Sequence, residues 1–366
     1  MKQNKAYKFR IYPNEEQKII FAKTFGCTRF MYNKMLSDKI DYYQQTKQRL
    51  NNTPAQYKTE FEWLKEVDSL ALANAQMNLQ KAFTNFFNNP KSGFPKFKSK
   101  HKNRKSYTTN NQRNTITLKN SYLKLPKLVD LVKVKQHRQI PKNYKIKSVT
   151  ISQTPSGKYY ASILCEYENQ IQTVEPKTFL GLDFSMKELY VASDNTSAEY
   201  PRYFRKSQEK LAREQRKLSK CMIGSQKKNK QRLKVAKLHE RVANQRKDFL
   251  HKLSRQIANT YDCVCIEDLD MKAMSQALNF GKSVADNGWG MFTTFLKCKL
   301  EDLGKQLIKI DRWFPSSKTC SNCGNVKENL SLSDRIYHCS NCGITLNRDY
   351  NASMNIKNQG MKLVIS

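Results

Sequence analysis

The chain has 366 residues, enough for two or three domains, and its 66 Lys and Arg residues against 31 Asp and Glu give a net charge of +35. A compact protein with this surplus repels itself unless a polyanion binds, so nucleic acid is the expected partner. No apolar run is long enough to span a bilayer and no apolar segment of a signal peptide follows the N-terminus, so we expect a cytoplasmic protein without a membrane partner.

The first part of the chain predicts a strand followed by helices. Residues 5–12 (KAYKFRIY) alternate polar and apolar side chains, as a strand does, and a proline follows them. Asn14 and Gln17 have the spacing of a capping box, which predicts a helix after them. A second helical pattern covers 69–87 and is broken by the loop SGFPKFKSKHKNRKS. Short β-branched runs between 107 and 178 then predict a small β-barrel or sheet.

Basic residues are concentrated in two segments. Residues 90–148 hold 17 Lys or Arg and one acidic residue, and residues 202–256 hold 19 against 4. The second segment has the pattern of a helix pair with a narrow apolar stripe, which a solvated pair with one buried face would also show. An ordinary exposed helix would carry acidic partners at i to i+4 spacing, and here they are mostly missing. We therefore favour nucleic-acid contact for both segments.

Acidic residues follow two apolar strand patterns in the second half of the chain. FLGLDFS contains Asp183 and precedes LYVAS, which can pair with it as a hairpin, and YDCVCIEDLD contains Glu267. A third apolar strand, LIKIDRWF, precedes a cysteine-rich segment, and Asp349 follows that segment. Three such carboxylates are what an RNase H-like nuclease needs to hold two divalent cations about 4 Å apart.

The order of the acids separates this pattern from other nucleases. Asp, Glu, Asp differs from the Asp, Asp, Glu order of DDE-type transposases, which we disfavour for that reason. Asp268 and Asp270 are rivals of Glu267 for the metal, but strand alternation turns Asp268 to the opposite face.

The four cysteines Cys320, Cys323, Cys339 and Cys342 form two Cys-x2-Cys pairs separated by 15 residues. This spacing predicts a structural zinc site with four thiolates, because each pair brings two sulfurs to one side of a tetrahedron. Gly324 and Gly343 follow the pairs and suit the tight turns of zinc knuckles. His338 could compete as a ligand, and a redox dithiol pair is the alternative. The other six cysteines are expected to be small, mostly buried side chains in a reducing compartment.

The motifs YKFRIYPNEEQ, CTRFMYNKML, GFPKFKSK, GLDFS, IEDLD, PSSKTCSNCG and NCGITLNRDYNAS together resemble one family. The chain resembles, over nearly its whole length, the transposon-encoded TnpB proteins, which are compact RNA-guided nucleases similar to ancestors of type V CRISPR effectors. The resemblance implies a multidomain α/β fold, in which a RuvC-like (RNase H-like) nuclease carries a zinc-ribbon insert and an N-terminal β-barrel (wedge) carries an inserted helical recognition domain.

The implied boundaries are 1–13 for the first wedge strand, 14–104 for the recognition domain, 105–178 for the wedge barrel, 179–312 for the first part of the nuclease, 313–343 for the zinc ribbon that contacts target nucleic acid, and 344–366 for the final nuclease helix. If the ribbon is inserted before the helix of Asp349, the metal site lies at the rim of the catalytic cleft.

The resemblance also implies an activity and its partners. The protein would be an Mg²⁺-dependent DNA endonuclease that uses a guide RNA from the transposon end and cuts double-stranded DNA beside a short transposon-associated motif. Asp183, Glu267 and Asp349 would be the catalytic acids and the magnesium ligands. One monomer per RNA is expected, with a dimer as the open alternative, in the prokaryotic cytoplasm and on nucleoid DNA when bound. The alternative is a non-catalytic RNA- and DNA-binding regulator of transposition, which has no need of three clustered carboxylates.

Side chains that could read the short DNA motif or its backbone lie near the presumed boundary between wedge and recognition domains. Amides and basic side chains are suited to base edges and phosphates respectively. Gln76 and Gln80 share one helix face while Asn78 points away, although a solvated helix face would look the same. The candidate nucleic-acid contacts are Gln76, Gln80, Lys96, Lys98, Lys100, Lys102, Arg104, Thr108 and Asn110.

Overall fold

The structure is a computed structural model that describes residues 2–101, 103–169, 171–277, 288–331 and 333–365. It divides into two compact units, Met1–Gln170 and Ile171–Ser366, each with hydrophobic clusters of its own.

The first unit combines a seven-stranded sheet with helices. Its elements are β1 (Lys2–Tyr12), α1 (Glu15–Thr46), α2 (Tyr57–Glu60), a 3-10 turn (Glu62–Glu66), α3 (Ser69–Asn88), β2 (Lys105–Asn110), β3 (Thr117–Lys119), β4 (Tyr122–Lys124), β5 (Val132–Lys135), β6 (Lys145–Gln153) and β7 (Tyr159–Glu168). The strand order is β2-β6-β7-β1-β5-β4-β3, and every pairing in it is antiparallel. The first strand of the chain therefore lies inside the sheet formed by strands from 105–168.

Strand β1 forms for the reason that the alternation predicts. Tyr7, Phe9 and Ile11 lie on one face and are buried in the core, while the intervening side chains are more exposed. Phe21 and Phe25 of α1 pack into the same core. The predicted capping box is present: Asn14 Oδ1 accepts from the Gln17 N–H at 2.8 Å, and Gln17 Oε1 accepts from the Asn14 N–H at 3.1 Å. The predictions of the strand and the helix start are both confirmed.

The second unit is built on a four-stranded sheet. Its elements are β8 (Phe179–Ser185), β9 (Leu189–Ala192), α4 (Tyr203–Ser219), α5 (Gln226–Thr260), β10 (Cys263–Glu267), α6 (Met271–Ala277), α7 (Trp289–Glu301), β11 (Gln306–Ile310), β12 (Ile336–His338), β13 (Thr345–Asn347) and α8 (Arg348–Ile365). The strand order is β11-β10-β8-β9, with β10 parallel to both neighbours and β8 antiparallel to β9. The predicted hairpin after Asp183 and the two later apolar strands are confirmed.

Helices cover both faces of this sheet. On one face, Val264 and Ile266 pack with side chains of α5 and α7, among them Leu250 and Phe292. On the other face, Cys263 and Cys265 pack with Ile356 of α8. The alternation of side chains along β10 thus assigns odd-numbered residues, including Glu267, to the face covered by α8.

Two glycines let α8 lie close to the sheet. A Cβ added at Gly181 in β8 would come within 2.1 Å of the Ser353 carbonyl oxygen, and one added at Gly360 in α8 would come within 2.1 Å of Cys265 Sγ. Neither position can hold a larger side chain without moving the helix. Close packing through these glycines places the start of α8, which carries Asp349, over the strand that carries Asp183.

The helix pair α4 and α5 extends from the same unit. Glu214 of α4 is buried and its carboxylate pairs with Lys234 of α5 at 3.0 Å, while Gln231 donates to it at 2.8 Å. These contacts keep the pKa of Glu214 low, at about 2, and join the two helices. None of the helices in the described ranges has the length and apolar character needed to cross a membrane.

Candidate metal centres

Asp183 and Glu267 lie side by side on neighbouring strands. In the parallel pair, Leu182 of β8 is opposite Ile266 of β10, so the next residues along the two strands, Asp183 and Glu267, are neighbours. Both side chains project to the α8 face, because Gly181 and Cys265, two residues earlier on each strand, contact α8. Asp349 is the second residue of α8 and completes a group of three carboxylates at this end of the sheet.

The electrostatics of Asp183 show that the three acids are close enough to interact. Burial raises its pKa well above the ordinary value, and the negative charges of Glu267 and Asp349 raise it further. The nearby Arg348 guanidinium opposes this shift. Burial also raises the pKa of Glu267. Like charges held together in a partly buried site favour a bound cation, which removes the repulsion.

Asp349 is held by its own helix start. Asn347 Oδ1 accepts from the backbone N–H groups of Asp349 at 3.0 Å and Tyr350 at 3.1 Å, so Asn347 caps α8. The Arg348 guanidinium lies 3.2 Å from Asp349 Oδ1. The backbone of Asp349 is therefore fixed by the Asn347 cap, and one of its carboxylate oxygens is paired with Arg348.

The four thiolates form a second and much tighter group. The ligand atoms of the four cysteines all lie within 4.8 Å of one another. Within the described ranges, no other group of three or more His, Cys, Asp or Glu residues is found this close together. Cys320 Sγ lies 3.7 Å from Cys342 Sγ, and Cys323 Sγ lies 3.6 Å from Cys339 Sγ. Bonds of about 2.3 Å from sulfur to a central zinc ion would give tetrahedral edges of about 3.8 Å. The donor set and its spacing both fit Zn²⁺.

The two knuckles of this cluster are copies of one pentapeptide, CSNCG, at 320–324 and 339–343. Gly324 and Gly343 adopt φ values of 77° and 70°, and each N–H donates to the carbonyl of the first cysteine of its knuckle at 2.9 Å. Hydrogen bonds also cross between the knuckles: Asn322 donates to Cys342 Sγ and Asn341 donates to Cys323 Sγ, both at 3.6 Å. Backbone N–H groups and these amides lower the pKa values of Cys323 and Cys342, which favours the metal-binding thiolate form.

The thiolate cluster and the carboxylates are joined by the turn at 315–321. The Ser316 hydroxyl donates to Glu267 Oε1. Asn355 of α8, which is buried, donates to the carbonyls of Ser316 at 2.8 Å and Thr319 at 2.6 Å. Asn351, also buried, donates to the Thr319 carbonyl at 2.7 Å and accepts from the Ser321 N–H at 2.9 Å. The entry to the first knuckle is thus anchored to Glu267 and to the helix that carries Asp349.

The rival acids and the rival ligand lie outside both groups. Asp268 is paired with Lys309 at 2.7 Å and Arg312 at 3.2 Å on the surface, as the strand alternation predicts. Asp270 Oδ1 accepts from the Ala273 N–H at 3.0 Å near the start of α6. His338 Nδ1 lies 3.0 Å from Thr345 Oγ1 across the β12–β13 hairpin, rather than with the four sulfurs.

Part of the predicted nucleic-acid set lines one cleft of about 320 Å³ in the first unit. Lys98, Lys100, Arg104 and Thr108 contribute to it, together with Asn74 and Asn78 of α3. The Lys98 backbone is held by Asn33, whose amide donates to its carbonyl at 2.9 Å and accepts from its N–H at 2.8 Å. The basic loop is therefore fixed against α1 with its cations at a concave surface.

The other predicted contacts lie elsewhere. Gln76 donates to the Asn52 carbonyl at 3.0 Å, and Gln80 is exposed beyond the cleft lining. Lys96 is exposed, Asn110 ends β2, and Lys102 lies outside the described residues. Asn78 of α3 lies in the cleft lining, although helical spacing places it on a different face from Gln76 and Gln80.

A second basic groove, with a volume of about 670 Å³, runs along α4 in the other unit. Its lining consists of Lys206, Glu209, Lys210, Arg213, Arg216, Lys217 and Lys220. These cations recur every three or four residues, so they follow one face of the helix. This groove belongs to the second of the two basic segments that the sequence singled out.

Sequence reasoning missed the residues that connect the two candidate metal centres. Ser316, Asn351 and Asn355 are small polar residues whose roles depend on long-range contacts, and the close-packed glycines Gly181 and Gly360 share that property. The repeated CSNCG sequence was a usable signal, because identical knuckles place their asparagines at equivalent positions.

Three family models match segments of the chain. OrfB_IS605, described as "Probable transposase", matches residues 162–278; a model described as "Cas12f1-like, TNB domain" matches 289–356; and HTH_OrfB_IS605, described as "Helix-turn-helix domain", matches 1–48. Most of the segment 1–48 forms strand β1 and the single continuous helix α1 in the structure. Its conformation therefore differs from a helix-turn-helix.

Curated relatives and solved structures extend the likeness to the whole chain. A Streptomyces pristinaespiralis protein named "Putative RNA-guided DNA endonuclease" is 34% identical over 98% of this chain and 89% of its own length. Escherichia coli InsQ, with the same description, is 29% identical over 97% of this chain and 92% of its own. The Cas12f1 protein in a cryo-EM complex with sgRNA and target DNA aligns with a TM-score of 0.63 at 15% identity, covering 98% of this chain and 99% of that one, which is a likeness of fold.

Proposed function

The chain belongs to the TnpB family, and we propose that it is a transposon-encoded, RNA-guided DNA endonuclease. The guide RNA, derived from the transposon end, reads the target by base pairing, and the protein reads a short transposon-associated motif in the double-stranded DNA. The observation that carries this proposal is the proximity of Asp183, Glu267 and Asp349 at one end of the sheet. The charges of Glu267 and Asp349 raise the pKa of Asp183 there.

The three carboxylates are the catalytic acids of this proposal. Their hard oxygen donors fit Mg²⁺, which prefers carboxylate and water oxygens. Bound there, a pair of Mg²⁺ ions supplies the activation of water and the stabilisation of the leaving oxygen that phosphodiester hydrolysis requires. The protein supplies the frame: adjacent strands fix two acids, and the Asn347 cap fixes the third.

The four thiolates hold a structural Zn²⁺ in this proposal. All four positions of a tetrahedron are filled by sulfur, so no position remains for substrate. The role of the metal is to fold the ribbon and to hold it beside the carboxylates through the turn at 315–321. The zinc ribbon can then contact target nucleic acid near the cut.

We extend the proposal to the domain arrangement that the TnpB family implies. Residues 1–13 and 105–178 form the wedge domain and 14–104 the inserted recognition domain, which is supported by the place of β1 within the sheet of the later strands. Residues 179–312 and 344–366 form the RuvC-like nuclease, supported by the contact of α8 with β8 and β10, and 313–343 form the zinc ribbon.

The basic surfaces are the proposed contacts with guide RNA and target DNA. The cleft with Lys98, Lys100 and Arg104 suits a DNA backbone, and the amides beside it suit base edges. Gln76 and Gln80, the first proposed readers of the motif, compete in this role with Asn78. The motif preference of Gln76→Ala, Gln80→Ala and Asn78→Ala in a library cleavage assay decides among them, whereas Lys100→Ala should weaken binding to all sequences evenly.

Plasmid cleavage tests the proposed function. We expect the purified protein, co-expressed with its RNA, to cut a matched plasmid in the presence of Mg²⁺ and not in its absence. One protein per RNA is the expected stoichiometry. A protein that binds both nucleic acids but never cuts would favour the second candidate, a non-catalytic regulator of transposition, for which the basic surfaces alone would suffice.

A further inference from the structure

Trp313 is unusually exposed for a tryptophan. The chain has three tryptophans, and Trp289 is 3% exposed, Trp63 is 42% exposed and Trp313 is 85% exposed. Tryptophan is highly buried on average, because its large apolar surface is costly to leave in water. An indole that is almost fully solvated is therefore a feature to explain.

The turn that carries this indole is firmly anchored. Asp311 Oδ1 accepts from the Trp313 N–H at 2.7 Å, and the Asp311 carbonyl accepts from the Phe314 N–H at 3.2 Å. On one side Arg312 pairs with Asp268 at 3.2 Å, and on the other Phe314 packs into the core beneath α8. The backbone is held on both sides of Trp313 while its side chain is exposed to solvent, so the turn presents the indole at a fixed place on the surface.

The turn lies next to the carboxylates. It follows β11, whose last residue, Ile310, is opposite Glu267. Ser316, whose hydroxyl donates to Glu267, is three residues after Trp313, so the two Cα atoms are at most about 11 Å apart. The indole is therefore carried by backbone that lies within about 11 Å of a residue hydrogen-bonded to Glu267.

A flat aromatic face near a phosphodiesterase site is suited to a nucleobase. Base stacking on an aromatic side chain tolerates any sequence, because every base has a π-face. In a duplex those faces are covered by neighbouring base pairs, so only an unpaired base can use the platform. The net charge of +35 favours a nucleic acid over an apolar protein partner.

We propose that Trp313 is a stacking platform for an unpaired base of the DNA strand that enters the site of Asp183, Glu267 and Asp349. This inference rests on the proposed function and adds to it a residue that positions the substrate strand. The strand is single where it passes the turn, and the stacked base sets the distance between its phosphates and the carboxylates.

Tryptophan fluorescence tests the platform without any need for cleavage. In a Trp63→Phe background the reporters are Trp313 and the buried Trp289. We expect a single-stranded oligodeoxynucleotide, added without Mg²⁺ and without guide RNA, to quench the exposed indole, and the same sequence as a duplex to quench it much less. Trp313→Leu should lose the quenching and weaken single-strand affinity by about 5- to 150-fold, and Trp313→Phe should restore most of that affinity.

The outcomes separate this inference from the proposed function. Equal single-strand affinity of Trp313→Leu and the parent, or equal quenching by duplex, overturns the platform. Single-strand quenching supports the platform even if the RNA-loaded protein fails to cut plasmid. Unchanged thermal unfolding and zinc content of Trp313→Leu, expected for so exposed a side chain, establish that the lost affinity is local.

Discussion

The two candidate metal centres differ in how the chain assembles them. The four thiolates come from two copies of CSNCG within residues 320–343, and the donors around them belong mostly to the same knuckles. The three carboxylates come from two strands and a helix, and Asp183 and Asp349 are separated by most of the second unit. One centre is a local structure that a metal can close, and the other exists only when the sheet and α8 have packed together.

The difference also appears in the electrostatics. N–H donors lower the pKa values of Cys323 and Cys342, whereas burial raises the pKa of Cys320 to about 11, so two of the four thiols are favoured as thiolates before a metal binds. Asp183 instead has a raised pKa, because burial and the neighbouring acids oppose its charge. In the proposed function, a bound cation would relieve the repulsion among the three carboxylates.

The largest effect that we expect comes from removing one carboxylate. Asp183→Asn, Glu267→Gln or Asp349→Asn should each lower the cleavage rate by on the order of 10³-fold, because the charge that holds the cations is lost. Guide RNA binding, measured by filter retention, should stay close to the parent. The surface substitutions Asp248→Asn and Glu301→Gln are matched controls. Full cleavage by any of the three variants would remove that residue from the site.

A cysteine substitution should unfold the local centre instead. Cys320→Ser or Cys339→Ser should release zinc and disorder the ribbon, since the binding energy of a thiolate site is largely folding energy. Elemental analysis and proteolysis of 313–343 measure the two effects. Cys298→Ser, at an exposed thiol of α7, should change neither. A ribbon that stays folded and protease-resistant without zinc would contradict the idea that a metal closes this local structure.

Asn355 is where the two centres are joined, so its removal should separate their behaviour. Asn355→Ala leaves the Ser316 and Thr319 carbonyls without this donor and should cost about 1–3 kcal/mol of stability. We expect cleavage to fall while zinc content stays complete. Chemical denaturation, elemental analysis and cleavage rates measure the three quantities, with Asn358→Ala on the same helix as the control. Loss of zinc would mean that the cluster also depends on α8.

The smallest effect concerns the hydroxyl that holds Glu267. Ser316→Ala removes a donor to this carboxylate and should slow cleavage by about tenfold, in keeping with a hydrogen bond to a charged group of about 1.5 kcal/mol. Ser316→Thr should recover most of the rate, because it keeps the hydroxyl. Ser317→Ala is the neighbouring control. If the threonine variant is as slow as the alanine variant, Ser316 acts through packing rather than through Glu267.

The local features of this protein were predictable from the sequence because their causes are local. The capping box of Asn14 and Gln17, the strand alternation through Phe9, and the spacing of the four cysteines all depend on residues a few positions apart. The acids could be named from their positions at the ends of apolar strands and from the family resemblance. The face of α3 was harder: Gln76 and Gln80 were favoured, and the structure places Asn78 in the cleft.

What the tertiary structure alone decided is how distant residues meet. Gly181 and Gly360 admit α8 to the sheet, Asn351 and Asn355 tie the zinc knuckle to that helix, and the anchored turn exposes Trp313. The contacts of these glycines and asparagines do not follow from spacing along the chain, because each joins residues from separate elements whose packing depends on the whole core. The sequence by itself determined which chemical groups are present and where local signals such as the capping box start a helix, and packing determined which of those groups share a site.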